Sequence, residues 1–476
     1  MKKMGKIVAL LLAMVMVFGM SVSVLAAGTK TADGKVTVSG LEDGDTVNLY
    51  QVIKWVTNDG WTFAAPYDTG LTNEQKTAVL AGNITSQLAE TIAELHASAT
   101  VVGPDTAVSG KVEMTVDPGL YLVLVTPADS GFIYNPAFVA SDYDENETNA
   151  IDLSAVGYSD TTYVKKTTIT VEKTVDSAKE TDAYSLGDDL SFTIATTIPN
   201  YPANSSNATL KITDAPTGLT IDPDTVVVKV GDDVVYDKDT PMAAATGTAN
   251  ATAATITVDF AKAYILANGG KAVTVTYTAE LTSVNAVNGT AENNAKVEYN
   301  PNPFVNTTRE VGDKDLIKTY GFVFEKVDDS DEALADAVFD LYDAEGNKLT
   351  TEDGYFRTVT TTIADGHAYV YWAGLKAGTY TVKETTAPAG YIKAADFTVT
   401  VGPETATADN PATADVTETN YKADLVGENA IVNVAGVALP STGGIGTTIF
   451  YIVGAILVIG AGVLLVTRRR MNLKQQ

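Results

Sequence analysis

The sequence predicts an all-β protein made of several domains in tandem. Most of the chain consists of short segments in which apolar residues alternate with Thr or charged residues, as in Lys35–Ser39, Ala272–Thr278 and Thr379–Glu384. Alternation with a period of two is typical of half-buried strands, and the intervening Gly, Asp, Asn and Pro are typical of turns. The 476 residues include no cysteine, so disulfide bonds do not stabilise this fold. At ~100–200 residues per domain, the length accommodates two to four domains.

The N-terminus has the pattern of a secretory signal peptide. Basic residues within the first six positions precede an apolar run, Ile7–Phe18, and small residues follow up to Ala26. A basic segment, a short apolar segment and small residues at the cleavage site define such peptides. The apolar run is shorter than the ~20 residues that a transmembrane helix needs. We therefore expect residues 1–26 to be removed during export.

Restarts of the strand pattern divide the rest of the chain into three expected domains. These are a first domain over residues 27–165, a second over residues 166–314 and a third over residues 315–437. A polar stretch, Thr307–Lys314, is expected to close the second domain. An Ala/Thr-rich stretch at 241–254 is expected to form a low-complexity loop within it.

One stretch of the first domain has helical periodicity. Residues Asn73–Ala97 contain few helix breakers, and apolar residues recur there every three or four positions. This spacing predicts a single amphipathic helix that packs on the sheet of the domain. His96, near the end of this helix, is expected to lie on the surface.

The C-terminus combines a pentapeptide, an apolar segment and a basic tail. The pentapeptide consists of Leu439, Pro440, Ser441, Thr442 and Gly443. Residues 447–467 are predicted to form a transmembrane helix, and the arginines at 468–470 are expected to remain on the cytoplasmic side. Residues 438–476 together resemble the LPXTG sorting signal of Gram-positive surface proteins. This resemblance implies that a sortase cleaves between Thr442 and Gly443.

Two sets of polar side chains lie in phase with aliphatic residues on predicted strands, so both sets are expected to point into a core. They are Lys173, Asp214 and Asn293 in the second domain, and Lys326, Glu384 and Asn433 in the third. An unpaired buried charge costs several kcal/mol, so such groups must be paired or neutral. For any single residue, the alternative is a strand end whose charged head reaches water. For the last position of the second set, Asn420 is the alternative to Asn433.

The chemistry that fits these sets is spontaneous amide formation. Burial lowers the pKa of a lysine and raises the pKa of a carboxylic acid, so a neutral amine and a protonated acid coexist in a dry core. The neutral amine is a nucleophile, and the acid hydrogen-bonds the asparagine carbonyl and shuttles the proton. Each reaction releases ammonia and ties the first strand of a domain to its last. The predicted isopeptide bonds are Lys173–Asn293 and Lys326–Asn433, assisted by Asp214 and Glu384.

Over nearly its whole length the sequence resembles the backbone (major) pilins of sortase-assembled Gram-positive pili. The segments at 172–175, 212–219 and 293–301 resemble a CnaA-type domain, and those at 324–328, 337–342 and 380–391 resemble a CnaB-type domain with its E-box. The resemblance implies tandem immunoglobulin-like β-sandwich domains behind an N-terminal pilin domain.

The family also requires a lysine that attacks the acyl-enzyme formed on the threonine of another subunit. The family motif contains Trp, valines and then Tyr-Pro-Lys, and here Tyr163 and Lys165 match its end. Val156 and Val164 stand where the family has Trp and Pro. Lys165 is therefore the predicted inter-subunit lysine, and Lys166 is the alternative.

The resemblance implies a structural shaft subunit of a covalent pilus that is anchored to the cell wall and is not an enzyme. The implied partners are a pilin-polymerising sortase, a housekeeping sortase, copies of the same chain, minor tip and base pilins, peptidoglycan and host surface ligands. A monomeric wall-anchored adhesin is the alternative, because it shares every feature except a working inter-subunit lysine.

Composition argues against other classes of function. The 59 acidic and 32 basic residues give a formal net charge of −27, which repels nucleic acid. His96 and His367 are the two histidines, so the chain has too few residues of the required types for a His-dependent triad or a Cys/His zinc site. No metal or cofactor is expected.

The segment Asp142–Glu147 begins like a calcium loop. It lacks Gly at the sixth position and Glu at the twelfth, where Leu153 stands, which excludes an EF-hand.

Overall fold

A computed structural model describes most of the chain between residues 34 and 472. The described residues are 34–56, 60–128, 131–141, 153, 156–175, 184–203, 205–284, 289–350, 355–402, 425–436 and 445–472. They are mostly β, in several sheets, as the sequence predicts. They divide into two compact units. The first contains the described residues up to Gly321, together with Ala373–Gly378 and residues 401–402, and the second contains the other described residues from Phe322 onward. The predicted signal peptide, the segment 142–147, Asn420 and the pentapeptide lie outside the described residues.

The N-terminal part of the first unit has two main sheets, ordered β5-β1-β9 and β3-β2-β6-β8, with β4 also paired to β2. Its strands are β1 (Lys35–Ser39), β2 (Thr46–Val56), β3 (Gly60–Phe63), β4 (Val101–Thr106), β5 (Lys111–Thr115), β6 (Gly119–Thr126), β7 (Phe132–Tyr134), β8 (Ala137–Ser141) and β9 (Thr161–Tyr163). Strand β6 is apolar on both faces because it lies between two cores. Leu120 and Leu122 face the helices, whereas Tyr121 and Val123 face the smaller sheet.

The helical stretch is not the single helix that its periodicity predicts. It consists of α1 (Tyr67–Gly70), α2 (Asn73–Leu80), α3 (Ser86–Glu94) and a 3₁₀ turn (Leu95–Ser98). Gly82 breaks it with a φ of +69°, and a Cβ there would meet the carbonyl oxygen of Val156 at 1.8 Å. Thr85 then caps α3 by accepting from the amide of Leu88 at 3.2 Å. A left-handed glycine and a new N-cap therefore override the continuous apolar stripe.

The surface position expected for His96 is wrong. Its side chain is buried, with Nδ1 2.6 Å from the carbonyl oxygen of Ala93. Its ring packs edge-on against Tyr50, with the ring centroids 5.0 Å apart. His96 lies four residues after the buried Ile92, so it continues the buried face of α3 into the 3₁₀ turn and reaches strand β2 through Tyr50.

The C-terminal part of the first unit is a sandwich of two sheets, ordered β11-β12-β19-β15-β16 and β17-β18-β13-β20-β21, with β14 paired to β19. A short strand, β10 (Lys166–Thr168), precedes it and pairs with β7. The sandwich strands are β11 (Glu172–Val175), β12 (Asp189–Thr197), β13 (Leu210–Thr217), β14 (Leu219–Ile221), β15 (Val227–Val230), β16 (Asp233–Tyr236), β17 (Gly247–Ala251), β18 (Ile256–Phe260), β19 (Ala272–Leu281), β20 (Thr290–Tyr299) and β21 (Arg309–Lys318). A short helix, α4 (Lys262–Ala267), joins β18 to β19. One apolar core fills the space between the sheets.

Two segments of this sandwich differ from the sequence-based expectations. The stretch at 241–254 contains β17, an edge strand paired along its whole length with β18. Strand β21 includes most of the polar stretch Thr307–Lys314 and crosses the domain boundary expected at residues 314 and 315. It pairs with β20 over ten residues, and Ile317 is fully buried in the sandwich core. An edge strand with one solvated face has few apolar residues, which is why its sequence resembles a linker.

The second unit contains a smaller sandwich of two sheets, ordered β25-β22-β28 and β24-β23-β26-β27. Its strands are β22 (Tyr320–Asp328), β23 (Val338–Tyr342), β24 (Val359–Thr360), β25 (Tyr369–Leu375), β26 (Gly378–Thr386), β27 (Phe397–Val401) and β28 (Leu425–Asn433). Aromatic residues fill much of its core, and Phe324 packs edge-on against both Phe339 and Phe397. The first and last strands, β22 and β28, are parallel neighbours.

The chain then forms a long apolar helix, α5 (Ile445–Asn472). Residues Phe450–Arg470 form a span of 21 residues with a mean hydropathy of 2.5, which is long and apolar enough to cross a membrane. This helix covers the segment 447–467 predicted from the sequence.

Candidate functional sites

The second domain brings Lys173, Asp214 and Asn293 together between its two sheets. Lys173 lies on β11 of one sheet, whereas Asp214 and Asn293 lie on the neighbouring strands β13 and β20 of the other. Lys173 is 3% exposed, and the two others are fully buried. The expectation that the bond ties the first strand to the last needs correction, because Asn293 lies on β20 and β21 follows it.

The lysine of this site is in direct contact with its acid. Nζ of Lys173 lies 2.5 Å from Oδ1 of Asp214. It also lies 5.2 Å from the ring centroids of both Phe192 and Tyr277. Burial lowers the pKa of Lys173 and raises the pKa of Asp214, because neither charge is solvated. A neutral amine beside a protonated acid is the state that amide formation requires.

Tyr277 is a member of this site that the sequence reasoning missed. Its hydroxyl accepts from Nζ of Lys173 at 2.8 Å and from Nδ2 of Asn293 at 2.7 Å, and it donates to Oδ2 of Asp214. In the sequence, Tyr277 is in phase with Val273 and Val275 on β19, which indicates that its side chain points into the core. A tyrosine on an apolar strand face is common in protein cores, so this phase alone did not distinguish Tyr277 from its aliphatic neighbours.

Strand β21 adds two carboxylates that were also missed. Oδ2 of Asp313 accepts from the main-chain amide of Lys173 at 2.8 Å. Asp315 is the direct register partner of Asn293, and burial raises its pKa. The domain boundary expected between residues 314 and 315 places Asp313 at the end of the second domain and Asp315 at the start of the third. For this reason the sequence did not indicate that both acids lie near Lys173.

The third domain brings Lys326, Glu384 and Asn433 together in a different arrangement. Lys326 and Asn433 lie on the parallel strands β22 and β28, and Glu384 lies on β26 of the opposite sheet. Each of the three side chains is at most 1% exposed. A bond between Lys326 and Asn433 would join neighbouring strands of one sheet, whereas a bond between Lys173 and Asn293 would join two sheets.

The contacts of the third-domain site also differ. Nζ of Lys326 donates to the carbonyl oxygens of Val327 at 2.9 Å and Ile431 at 2.7 Å. Glu384 accepts from Nδ2 of Asn433 at 2.8 Å and from the amide of Ala394 at 2.5 Å. Burial lowers the pKa of Lys326 to about 8, against the opposing effect of the Glu384 charge.

The contact expected between each acid and the carbonyl oxygen of its asparagine is absent among the described residues. In both sites Oδ1 of the asparagine is buried without a hydrogen-bond partner there, and the amide nitrogen faces the polar group instead. Glu384 touches Nδ2 of Asn433 directly, whereas the hydroxyl of Tyr277 lies between Asp214 and Asn293.

The two lysines weighed for inter-subunit linkage have different environments. Lys165 is exposed between β9 and β10, next to Tyr163, which is 70% exposed. Lys166 is half-buried, forms an ion pair with Glu42, and lies 4.3 Å from the ring centroid of Phe132. The ammonium of Lys166 therefore contacts an acid and an aromatic face in a half-buried position, while the side chain of Lys165 is exposed.

Comparison with family models gives two matches. Residues 321–418 match a prealbumin-like fold domain, and residues 431–472 match the LPXTG cell wall anchor motif. The second match contains the pentapeptide and the whole of the apolar helix. The prealbumin-like domain covers the strands that carry Lys326 and Glu384.

Comparison with individual proteins gives relatives over most of the chain. The trypsin-resistant surface T6 protein of Streptococcus pyogenes serotype M6 is 24% identical over 96% of this chain and 99% of its own. The solved structure of the T6 backbone pilin, described as a modular three-domain structure, has a TM-score of 0.59 at 22% identity, covering 78% of this chain and 81% of that one. The full-length major pilin SpaD of Corynebacterium diphtheriae has a TM-score of 0.50 at 18% identity, covering 87% and 100%.

These findings agree with the C-terminal pattern of pentapeptide, apolar helix and basic tail. The anchor motif and the apolar helix make the chain a cell-wall-anchored surface protein of a Gram-positive bacterium. The similarity to the T6 and SpaD pilins shows that it shares their fold.

Proposed function

We propose that the chain is the shaft subunit of a covalent pilus. A sortase cleaves after Thr442 and transfers the threonine carbonyl to Lys165 of another copy, and the last transfer attaches the polymer to the cell wall. The observation that carries this proposal is the combination, in one chain, of an anchor motif at the C-terminus and an exposed lysine at the end of the first domain.

The environments of the two lysines support Lys165 as the acceptor. An acceptor must bring its amine to the acyl-enzyme and attack in the neutral form. Lys165 is exposed, whereas the ammonium of Lys166 is stabilised by Glu42 and by the face of Phe132. Lys166 is half-buried, so its amine is less accessible to an enzyme than the amine of the exposed Lys165.

We also propose that the second and third domains are each stapled by a Lys–Asn isopeptide bond. The proposed bonds are Lys173–Asn293, assisted by Asp214, and Lys326–Asn433, assisted by Glu384. Support comes from the burial of all six side chains and from the lowered pKa of each lysine. Proximity in a folded core supplies much of the rate for such a reaction, because the reacting groups are already oriented.

A denaturing gel of boiled cell-wall extract tests polymerisation. We expect a ladder of very large species for the wild type, loss of the ladder for Lys165→Ala, and a wild-type ladder for the matched control Lys166→Ala. A ladder that persists in Lys165→Ala would show that another lysine is the acceptor. A single band in the wild type would favour a monomeric adhesin.

Intact mass tests the staples. The folded mature chain is expected to weigh less than its sequence by two molecules of ammonia. Asp214→Ala and Glu384→Ala should each restore one ammonia, because the assisting acid is lost. Asp259→Ala, which removes an exposed carboxylate of the second domain, should leave the deficit unchanged. A wild-type mass equal to the sequence mass would exclude both bonds.

A further inference from the structure

We infer that Tyr277 is a catalytic residue of the second-domain staple and relays a proton from Asp214 to the leaving nitrogen of Asn293. This inference rests on the cross-link proposed above and assigns the route by which the proton reaches the departing ammonia.

The hydroxyl of Tyr277 is in contact with all three members of the triad. It is 2.8 Å from Nζ of Lys173 and 2.7 Å from Nδ2 of Asn293, and it is hydrogen-bonded to Oδ2 of Asp214. The other carboxylate oxygen of Asp214 is the one that lies 2.5 Å from Nζ. The two oxygens of one acid therefore face the attacking nitrogen and, through Tyr277, the leaving nitrogen.

The net effect of the relay is to transfer one proton from Nζ of Lys173 to Nδ2 of Asn293 for each isopeptide bond formed. The neutral amine of Lys173 attacks Cγ of Asn293, and the bond from Cγ to Nδ2 breaks as the bond from Cγ to Nζ is completed. Nζ gives a proton to Oδ1 of Asp214, and Oδ2, which carries the proton of the neutral acid, gives it to the hydroxyl of Tyr277. The phenol proton then passes to Nδ2, so the two hydrogen bonds of Tyr277 to Asp214 and Asn293 reverse their direction during the reaction. Nδ2 leaves as ammonia, so the acid starts and ends protonated and the tyrosine starts and ends as a phenol. No further reactant is consumed.

The surroundings keep Tyr277 in the protonated state that a relay needs. Its side chain is 3% exposed, and its ring stacks on Phe192 with the centroids 5.5 Å apart. Burial raises the pKa of Tyr277, because the phenolate would not be solvated. The phenol therefore holds its proton until a stronger base, the expelled amide nitrogen, develops beside it.

The third domain provides an internal contrast. There the assisting acid reaches the leaving nitrogen without a relay, because Glu384 accepts directly from Nδ2 of Asn433 at 2.8 Å. The two staples thus differ in proton path, and a change at Tyr277 should affect one bond and leave the other untouched.

A time course of bond formation tests the inference. The mature chain is made in a cell-free reaction, samples are denatured at intervals, and the two cross-linked tryptic peptides are quantified by mass spectrometry. For Tyr277→Phe we expect the Lys173–Asn293 peptide to form roughly 100-fold more slowly, the scale of general acid catalysis, while the third-domain peptide forms at the wild-type rate. The matched control is Tyr201→Phe, which removes a buried tyrosine hydroxyl from the same core and should change neither rate.

The time course distinguishes failure of the Tyr277 relay from failure of the proposed Lys173–Asn293 bond. A second-domain bond that forms in Tyr277→Phe at the wild-type rate would overturn the relay and leave the staple intact. Absence of the Lys173–Asn293 peptide from the wild type would overturn the staple itself, and the relay with it.

A second measurement avoids the question of whether Tyr277→Phe folds. Global replacement of tyrosine by 3-fluorotyrosine keeps the shape of the side chain and makes the hydroxyl a stronger acid. The ratio of the second-domain rate to the third-domain rate should then change by at least about threefold, because the relay proton is given up more readily. An unchanged ratio would contradict the inference.

Discussion

The side chain of Lys326 lies in the core of the third domain with its amine on two main-chain carbonyls. Its phase with Phe322 and Phe324 on one strand face made this burial predictable. The identity of the two carbonyls was not predictable, because Ile431 belongs to a strand about a hundred residues later in the chain. Burial without solvation makes the charged form costly, so the lysine is prepared to react as a neutral amine.

The lowered pKa of Lys326 predicts a pH dependence of stability when the bond cannot form. In the folded chain burial lowers the pKa of Lys326 to about 8 from the ordinary value of 10.5, and Asn433→Ala leaves this lysine as a free amine that can titrate. Between these values the unfolded chain binds more protons, so the free energy of unfolding should rise as the pH increases from 8 to 10.5. The full effect corresponds to as much as ~3 kcal/mol.

Urea titrations at several pH values measure this effect. In the wild type the Lys326 nitrogen would be an amide that does not titrate, so the same pH range should show no such rise. A flat profile in Asn433→Ala would mean that the amine of Lys326 is solvated and that its burial does not prepare it for reaction.

At the level of elements, strand alternation correctly predicted the all-β class, but it gave the wrong end for the second domain. Strand β21 is an edge strand with one solvated face, so polar residues dominate its first half. The pairing with β20 also brings Asp315 opposite Asn293, next to the candidate staple. Whether a polar stretch is a linker or an edge strand depends on a partner strand, and strand pairing is not encoded within the stretch itself.

The position of β21 predicts unequal effects for two adjacent substitutions. Ile317 is fully buried in the second-domain core, whereas the neighbouring Leu316 is 40% exposed. In an Asn293→Ala background, which removes the staple, Ile317→Ala should lower the free energy of unfolding by about 3 kcal/mol. The matched Leu316→Ala should cost less than about 1 kcal/mol. Equal effects in urea unfolding would place Ile317 outside the second domain.

At the scale of the whole molecule, the proposed linkages define a path for mechanical load. Force would enter a subunit through Lys165 and leave through Thr442, so the first domain would lie outside the path. Within the second domain, load would pass from Lys173 through the isopeptide bond to Asn293. The chain between these two residues would then carry no load.

Single-molecule pulling between the two linkage points tests this path. The wild-type second domain is expected not to unfold, whereas Asn293→Ala should release a length of about 400 Å when the unbridged segment extends. The matched control Asn294→Ala, one residue along the same strand, should behave as the wild type, because Asn294 bonds only to Glu292 among its described side-chain partners. A 400 Å step in the wild type would contradict the staple.

The sequence by itself determined the all-β class, the anchor pattern at the C-terminus and the inward phase of six polar side chains. These features depend on local quantities: residue composition, the two-residue repeat of a strand and the order of short motifs. The tertiary structure alone decided which strands are neighbours, and therefore that one site lies between two sheets and the other within one sheet. It also brought Tyr277 to the triad of the second domain, broke the helix of the first and left Lys165 more exposed than Lys166. Those outcomes depend on contacts between residues far apart in the chain, and the alternation of a single strand carries no information about its partner.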